Sequence, residues 1–352
     1  MSEVLRWLVM GIGVLMAAGT AASLSRNPHW LVRGWDFPRI HIGVIAAGSA
    51  LIYLAVFFAG SLLEAALLLI VGGCAAWQAY KIFPYTWLAP RRVKACAAAS
   101  KEKSFCLLTS NVQMDNHEFE RFRRVVREAD PDLVLLLETD DRWLTELGDL
   151  KRTHPHTVLQ PQDNMYGIAL YSRLPLTGGE VRFIIQDDIP SIRSEVELPC
   201  GAKFQLYCLH PRPPEPLRDQ DSGPRDAELV VVGREIAKSE MPAVIAGDLN
   251  DVAWSATSEL FLRISGLLDP RMGRGLYNTF NAKTPFLRFP LDHVFHSNCF
   301  ELISLRRLGS VGSDHFPMLI ELCYREAAPK EQPETEERAG DAKQAEHMID
   351  RV

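Results

Sequence analysis

At 352 residues the chain can hold one large domain with additions, and a domain above about 200 residues buries a substantial core. The formal net charge of −6 is unevenly spread: residues 104–325 carry 24 Lys and Arg against 32 Asp and Glu, a net charge of −8. A protein that grips nucleic acid mainly through its phosphates is expected to show a basic surface, and this composition argues against that class. The seven cysteines (74, 96, 106, 200, 208, 299, 323) are odd in number and contain no Cys-x-x-Cys pair. Several sit in apolar, strand-like runs, which predicts buried free thiols rather than a zinc site or a disulfide framework.

Three apolar segments open the chain. Val4–Leu24 carries only Arg6 near its outer end, Ile40–Gly60 follows, and Leu62–Tyr80 is broken only by Glu64 and Gln78. Each is long enough to cross about 30 Å of hydrocarbon as a helix. The first alone is also compatible with a signal peptide. Two further spans close behind it, and no clear small-residue cleavage site, predict an anchored three-helix membrane region over residues 1–82.

Basic residues near spans tend to stay on the cytoplasmic side. Arg26, Arg33 and Arg39 lie between the first two spans, and Lys81, Arg91, Arg92 and Lys94 follow the third. With three crossings, both segments share a side with everything that follows. The expectation is a multi-pass protein of the cell (inner) membrane with its large domain in the cytoplasm.

Residues 83–103 read as a linker with Pro84, Pro90, a basic cluster and an Ala-rich run. After Arg325 the composition turns to Glu, Ala, Lys and Pro, with 8 acids against 4 bases, which predicts a disordered acidic tail over 326–352. Between them, 104–325 alternates strand and helix patterns. Phe105–Ser110 is an apolar strand ending at Asn111. Helical spacing over Glu118–Ala129 stops at Asp130-Pro131, and Leu133–Leu137 is a buried strand ending in Glu138. Gly167–Tyr171, Val181–Ile185, Ser194–Leu198 and Phe204–Leu209 are shorter strands, the last meeting His210. Ala227–Lys238 looks helical, and Pro290–Phe295 and Phe316–Leu322 complete the sheet material. A two-sheet α/β sandwich fits this order best.

The densest signal is Met241-Pro-Ala-Val-Ile-Ala-Gly-Asp-Leu-Asn250. Small and β-branched apolar residues form the pattern of a strand covered on both faces. Asp248 and Asn250 leave its carboxyl end, where α/β proteins place ligands; an Asx turn would use the same residues. Four more places have this layout: Asn111, Glu138, His210, and the C-terminal pair Leu291-Asp292-His293-Val294 and Gly312-Ser313-Asp314-His315-Phe316. Any one of them is ordinary. The set in this order is not.

On these residues the domain resembles the endonuclease/exonuclease/phosphatase superfamily, which includes deoxyribonuclease I, neutral sphingomyelinases and inositol-polyphosphate 5-phosphatases. The resemblance covers about 104–325. It implies a four-layer α/β sandwich, two mixed β-sheets flanked by helices, and a Mg²⁺-dependent (or Mn²⁺-dependent) hydrolase of phosphoester bonds. It also implies roles. Glu138 would be the principal metal ligand with Asn111 beside it and Asp314 as second or alternate ligand, since Mg²⁺ takes hard oxygen donors. Asp248 would orient or deprotonate the attacking water, and Asn250 would hold a phosphate oxygen. Asp292 would fix His315, which would stabilise charge growing on the phosphoryl group. His210 would be the general acid for the leaving group. His293, facing away from Asp292 in a strand, is expected to be structural.

Arg193 and Arg212 are candidate substrate contacts, because a guanidinium fork suits phosphate oxygens; an exposed strand position and a solvated loop position are the alternatives. The stretch His210-Pro-Arg-Pro-Pro-Glu-Pro216 is expected to form a stiff loop at the site mouth; Tyr166 and Trp254 are candidates to line the cleft, although aromatics more often lie in the core. The expected function is a membrane-anchored phosphoester hydrolase acting on a monoester, diester or pyrophosphate, lipid-linked by virtue of the tether, with the bilayer as partner. The alternatives are a nuclease acting on DNA or RNA and a catalytically inactive membrane scaffold. The presence of every expected ligand and base weighs against the scaffold.

Overall fold

A computed structural model describes residues 2–215 and 220–352; Pro216, the end of the Pro-rich stretch, lies outside the described residues. The chain divides into two compact units, Met1–Ala89 with Pro214–Ser222, and Pro90–Pro213 with Gly223–Val352.

The first unit contains α1 (Ser2–Leu24), the single turn α2 (Trp30–Arg33), α3 (Arg39–Val56) and α4 (Leu62–Ile82). Helices α1, α3 and α4 are long and apolar enough to cross a membrane. Their packing inverts the usual arrangement of a water-soluble bundle. Leu5, Leu51, Leu54, Leu62 and Leu69 face outward, while Met16, Ile42, Ala46 and Val71 form only a small apolar centre. Buried polar groups hold the interior together. Arg39 Nη1 donates to Gln78 Oε1 at 3.0 Å and to Ser23 Oγ at 3.2 Å, and Gln78 Nε2 donates to Thr20 Oγ1 at 2.9 Å. At the other end Arg6 pairs with Glu64, and Tyr53 donates its hydroxyl to Glu64 at 2.9 Å. Apolar outside with polar groups hydrogen-bonded to one another inside is what a lipid environment favours. Helix α3 stops at Val56, four residues before the expected end of the second span, and Ser61 and Glu64 restart the chain as a capping box at the head of α4.

The second unit contains β1 (Ser104–Asn111), α5 (Phe119–Ala129), β2 (Leu133–Leu137), α6 (Asp141–Glu146), β3 (His156–Gln160), β4 (Ile168–Ser172), β5 (Leu176–Arg182), β6 (Ser191–Glu197) and β7 (Lys203–Leu209). It continues through α7 (Gly223–Lys238), β8 (Ala243–Asp248), α8 (Ala256–Ser265), β9 (Asp292–His296), β10 (Phe300–Arg307), β11 (Met318–Tyr324) and α9 (Asp341–Ile349). Among the described residues the strands form two sheets, ordered β10-β11-β1-β2-β4-β3 and β5-β6-β7-β8-β9. In each, one parallel pair (β1 with β2, β7 with β8) is joined through a helix, and the other pairs are antiparallel.

The sheets face each other across one core. Leu107, Leu133, Leu135, Leu137 and Leu170 of the first meet Ile192, Val196, Phe204, Leu206 and Val244 of the second. Phe122, Val126 and Trp143 of α5 and α6 cover the outer face of the first sheet, and Leu229, Val232 and Phe261 of α7 and α8 cover that of the second. This is the four-layer α/β sandwich that the strand order and the resemblance imply. All seven cysteines are free thiols; Cys208, Cys299 and Cys323 are buried, whereas Cys200 is exposed.

Several elements differ from the sequence expectation. Strand β5 begins five residues earlier than the apolar run Val181–Ile185 suggests; its sequence, Leu-Thr-Gly-Gly-Glu-Val-Arg, is largely exposed and carries no alternation to read. Strands β3 and β10 and helices α6 and α8 have no counterpart in that expectation. The tail departs most. Instead of lacking structure, Asp341–Ile349 forms α9, whose Ala345 packs with Val230, Leu260 and Ile264. Asp341 takes two hydrogen bonds from Arg263, at 2.6 and 3.0 Å. A small apolar contact and a bidentate ion pair outweigh a composition that alone favours disorder.

Candidate active site

The parallel pairs set the geometry: strands running the same way end on the same side, so the residues closing β1 with β2, and β7 with β8, emerge together. Gly247 makes this possible in the second sheet. It sits at φ +145°, and a Cβ there would lie 1.9 Å from the Leu209 carbonyl oxygen, so only glycine lets β8 end beside β7. Beyond the strand ends, Gln113, Glu138 and Asn250 take left-handed φ values of 58°, 60° and 50°, a conformation that costs a non-glycine residue about 1–3 kcal/mol and clusters at functional sites.

Asn111, Glu138, Asp248, Asp292, His315 and His210 converge here. Asn111 Nδ2 donates to Glu138 Oε1 at 2.7 Å and to Asp248 Oδ2 at 3.2 Å, bridging the two sheets. His315 Nδ1 lies 2.8 Å from Asp292 Oδ2, its Nε2 3.4 Å from Asp248 Oδ2, and His210 Nε2 3.9 Å from that same oxygen. Asp248 Oδ1 accepts the Asn250 N–H at 2.9 Å, so the Asx turn and the site are one feature. Asp314 joins through its backbone: its N–H donates to Gln113 Oε1 at 3.1 Å.

Burial dominates the electrostatics. It pushes Glu138 up to about 7 against the opposing Asn111 hydrogen bond, with Asp314 and Asp248 adding to the rise. Asp248 is raised by burial too, although His315 and His210 pull it back. His210 is buried and driven down to about 4, neutral in the resting site. For His315, burial disfavours the cation, but Asp292, Asp248 and Asp314 together outweigh it and raise it to about 10.

Two amide side chains have further partners. Asn111 turns its amide nitrogen, not its oxygen, toward Glu138 and Asp248; the oxygen accepts the Gln113 N–H at 3.0 Å. Asn250 Nδ2 donates to the Pro211 carbonyl at 2.9 Å, which fastens the segment after His210 to the end of β8. Arg193 does not join the site. In β6, Ile192 and Val196 point into the core, so Arg193 points outward, pairing with Glu235 of α7 and lying 3.5 Å from Glu180. Arg212 does stand at the mouth. Its guanidinium lies 5.0 Å over the Tyr166 ring, itself 5.3 Å from the His210 ring, and is paired with Asp188. Trp254 is fully buried, while His293, facing away from its neighbour Asp292, contacts the Asp251 carbonyl at 2.8 Å and Arg271.

Sequence reasoning gives no role to three supporting residues. Ser313 Oγ donates to the Asn111 carbonyl at 2.8 Å and accepts the His315 N–H at 2.9 Å, linking the two motifs. Gln113 Oε1 also accepts from Lys283 Nζ at 2.8 Å. Arg225, buried in α7, donates to the Asn250 carbonyl at 2.6 Å and pairs with Asp226 and Asp251. Ser313 is legible within Gly-Ser-Asp-His. Nothing in a helical pattern marks a buried arginine such as Arg225.

Asp248, Asp292 and His315 bring one ligand atom each within 4.8 Å of one another. His315 Nδ1 is hydrogen-bonded to Asp292 and its Nε2 faces Asp248 at 3.4 Å, so this trio is a charge cluster. The donor set that suits a divalent cation lies beside it: among the described residues Glu138 Oε2 has only a 3.4 Å contact with the Met114 N–H, and the charges of Asp314 and Asp248 bear on it.

Comparison with known proteins follows the same outline. The model of the Endonuclease/Exonuclease/phosphatase family matches residues 108–315. No curated protein matches the sequence. Among solved structures, Bacteroides vulgatus endonuclease/exonuclease/phosphatase is 16% identical, with a TM-score of 0.52, covering 63% of this chain and 99% of its own. The human Nocturnin catalytic domain with bound sulfate is 15% identical, with a TM-score of 0.52, covering 64% and 96%. D. rerio TDP2 complexed with single strand DNA product is 16% identical, with a TM-score of 0.51, covering 62% and 98%. At such identities these likenesses speak for the fold, and the family match carries the rest. The chain belongs to the Endonuclease/Exonuclease/phosphatase family, whose members are divalent-metal-dependent hydrolases of phosphoester bonds.

Proposed function

We propose that the protein is a membrane-anchored hydrolase that cleaves a lipid-linked phosphoester by in-line attack of water on phosphorus. The observation that carries the chemistry is the meeting of Asn111 and Glu138 from one sheet with His210, Asp248 and Asp292 from the other, around His315. The residues present fit a hard divalent cation, Mg²⁺ or Mn²⁺, which Glu138 and Asp314 would hold. When bound, such an ion polarises the phosphoryl group and neutralises charge on it.

The chain's own residues supply the remainder. Asp248, raised by burial, is a better base than an exposed carboxylate and would orient and deprotonate the water. Asn111 positions Glu138 and Asp248 relative to each other. His315, a cation held by Asp292, would donate to a non-bridging oxygen as charge grows there. His210 is neutral at rest, so the proton it would give a leaving group must be drawn onto it by the anionic substrate. Asn250, with one amide hydrogen on Pro211, keeps the other for the phosphate.

Two features support a lipid-linked substrate. Three helices of the same chain are apolar enough to hold the domain at a bilayer, where tethering raises the effective concentration of headgroups. The charge of −8 over 104–325 disfavours a polyanionic duplex. The basic segments flanking the helices support a cytoplasmic domain. A nuclease is the second reading, favoured because a neighbour of the same fold is complexed with single strand DNA product.

The test is a substrate panel with the purified full-length chain: lipid phosphates and pyrophosphates, phosphoinositides, sphingomyelin, and single- and double-stranded DNA, with Mg²⁺. Turnover of a lipid phosphate that is abolished by EDTA and by Asp248→Ala is the expected result. Turnover of DNA alone establishes the second reading, and turnover undiminished in both Asp248→Ala and His315→Ala overturns the roles.

A further inference from the structure

One segment beside the site reverses the charge and polarity of the domain around it. Residues 279–290, Thr-Phe-Asn-Ala-Lys-Thr-Pro-Phe-Leu-Arg-Phe-Pro, contain two bases and no acid. They form a hairpin closed by the paired backbones of Phe280 and Phe289. Its root is bonded to the site: Phe280 bridges to His315, and the Ala282 N–H donates to the Asp314 carbonyl at 2.6 Å. Its tip presents what a water-exposed loop ordinarily hides. Phe286 is 86% exposed and Leu287 51%, adjacent at the apex.

The flanks of that tip are cationic. Lys283 is exposed and reaches Gln113 Oε1, and the Arg288 guanidinium lies 5.0 Å over the Phe316 ring. Arg307, exposed, covers the same ring at 4.3 Å. Next to Tyr166, Met165 is 51% exposed, a second apolar side chain by the mouth. An apolar apex between basic shoulders matches the layers of an anionic bilayer, apolar residues in the acyl boundary and cations at the phosphates.

We propose that the Phe280–Phe289 hairpin docks on the bilayer, Phe286 and Leu287 entering the acyl boundary while Lys283 and Arg288 meet anionic headgroups, so that the site opens onto the lipid surface. The occupant is the bilayer itself. Charge complementarity in an otherwise acidic domain points to it, as do the three apolar helices in the same chain. This deepens the lipid-linked reading above and rests on it for its purpose, but it can be tested separately.

The experiment uses the full chain reconstituted into vesicles of phosphatidylcholine and phosphatidylglycerol with brominated acyl chains. Phe286→Trp adds one indole at the apex, and its emission is the difference from the parent chain. The expected result is blue-shifted emission quenched about twofold or more by the brominated lipid, weakened when phosphatidylglycerol is omitted. A second variant, Phe286→Ser with Leu287→Ser, is expected to lower turnover of a vesicle-borne lipid phosphate about tenfold and to leave a soluble aryl phosphodiester unchanged.

An unquenched, water-exposed indole in Phe286→Trp overturns the proposal. So does an indole there that responds to added single-stranded DNA instead of lipid, and so does an equal loss on both substrates, which would make the hairpin part of the chemistry. Quenching without turnover of any lipid substrate would uphold the docking and remove the lipid-linked substrate alone.

Discussion

The two sheets bring unlike chemistry to the same mouth. The first ends in Asn111 and Glu138, an amide and a half-buried carboxylate with an oxygen left over. The second ends in His210 and Asp248, with Asp292 at the start of the neighbouring β9, all buried. Both halves use a parallel strand pair joined through a helix, so the backbone device is shared and the side chains divide the work. In the proposed mechanism the first sheet binds the cation and the second handles protons, with the Asn111 bridge at 3.2 Å to Asp248 as the seam.

The sharpest way to break that division is a pair of variants read by two instruments. Asp248→Asn is expected to lower kcat about a thousandfold while leaving Mg²⁺ or Mn²⁺ affinity nearly unchanged. Glu138→Gln is expected to weaken metal binding at least about a hundredfold, with activity partly regained at saturating metal. Calorimetric titration with Mn²⁺ beside steady-state kinetics checks both; identical behaviour of the two variants would erase the distinction between the sheets.

A smaller effect tests the second sheet internally. Asp292→Asn keeps the shape of the hydrogen bond to His315 but removes the charge that favours the imidazolium. The expectation is a fall of about a hundredfold in kcat with KM little changed, whereas a merely structural role would lower thermal stability without splitting kcat from KM.

Further from the mouth, Glu228 of α7 sets a pH dependence of folding. It is buried, its Oε1 has no hydrogen-bond partner among the described residues, and burial pushes it up to about 8 from 4.5. The folded chain therefore keeps a proton that the unfolded chain releases above pH 4.5. Stability from this group is greatest below that value and is lost as pH rises to about 8, at up to about 1.4 kcal/mol per pH unit. Glu228→Gln should flatten that slope, as measured by urea unfolding of the detergent-solubilised chain between about pH 5 and about pH 8. The smallest effect is at Arg193, whose ion pairs lie on the outer face: Arg193→Ala should change kcat/KM by less than about twofold, since pairs of this kind contribute little.

What the sequence discloses follows how local each signal is. β2 and the heart of β8 are legible because consecutive apolar residues need burial on both faces, and the polar residue ending each run marks the mouth. The site is therefore largely visible as an ordered set of strand-end residues. Distances between those residues are not, because register between strands far apart in sequence is set by pairing. β5, whose exposed Gly-Gly stretch has no alternation, and Arg193, whose fate depends on Glu235 forty-two residues away, show the limit. The amide orientation of Asn111 is a further case, since it depends on the Gln113 N–H and on carboxylates from two other strands.

The α9 contact has a practical consequence. A fragment cut after β11, where the sheet ends, would strip Ala345 from Val230, Leu260 and Ile264 and leave Arg263 without its Asp341 carboxylate. Such a truncation would present a fresh greasy surface to water, and poor expression of it would say nothing against the enzyme. Fragments meant for crystallisation or assay should run through Ile349.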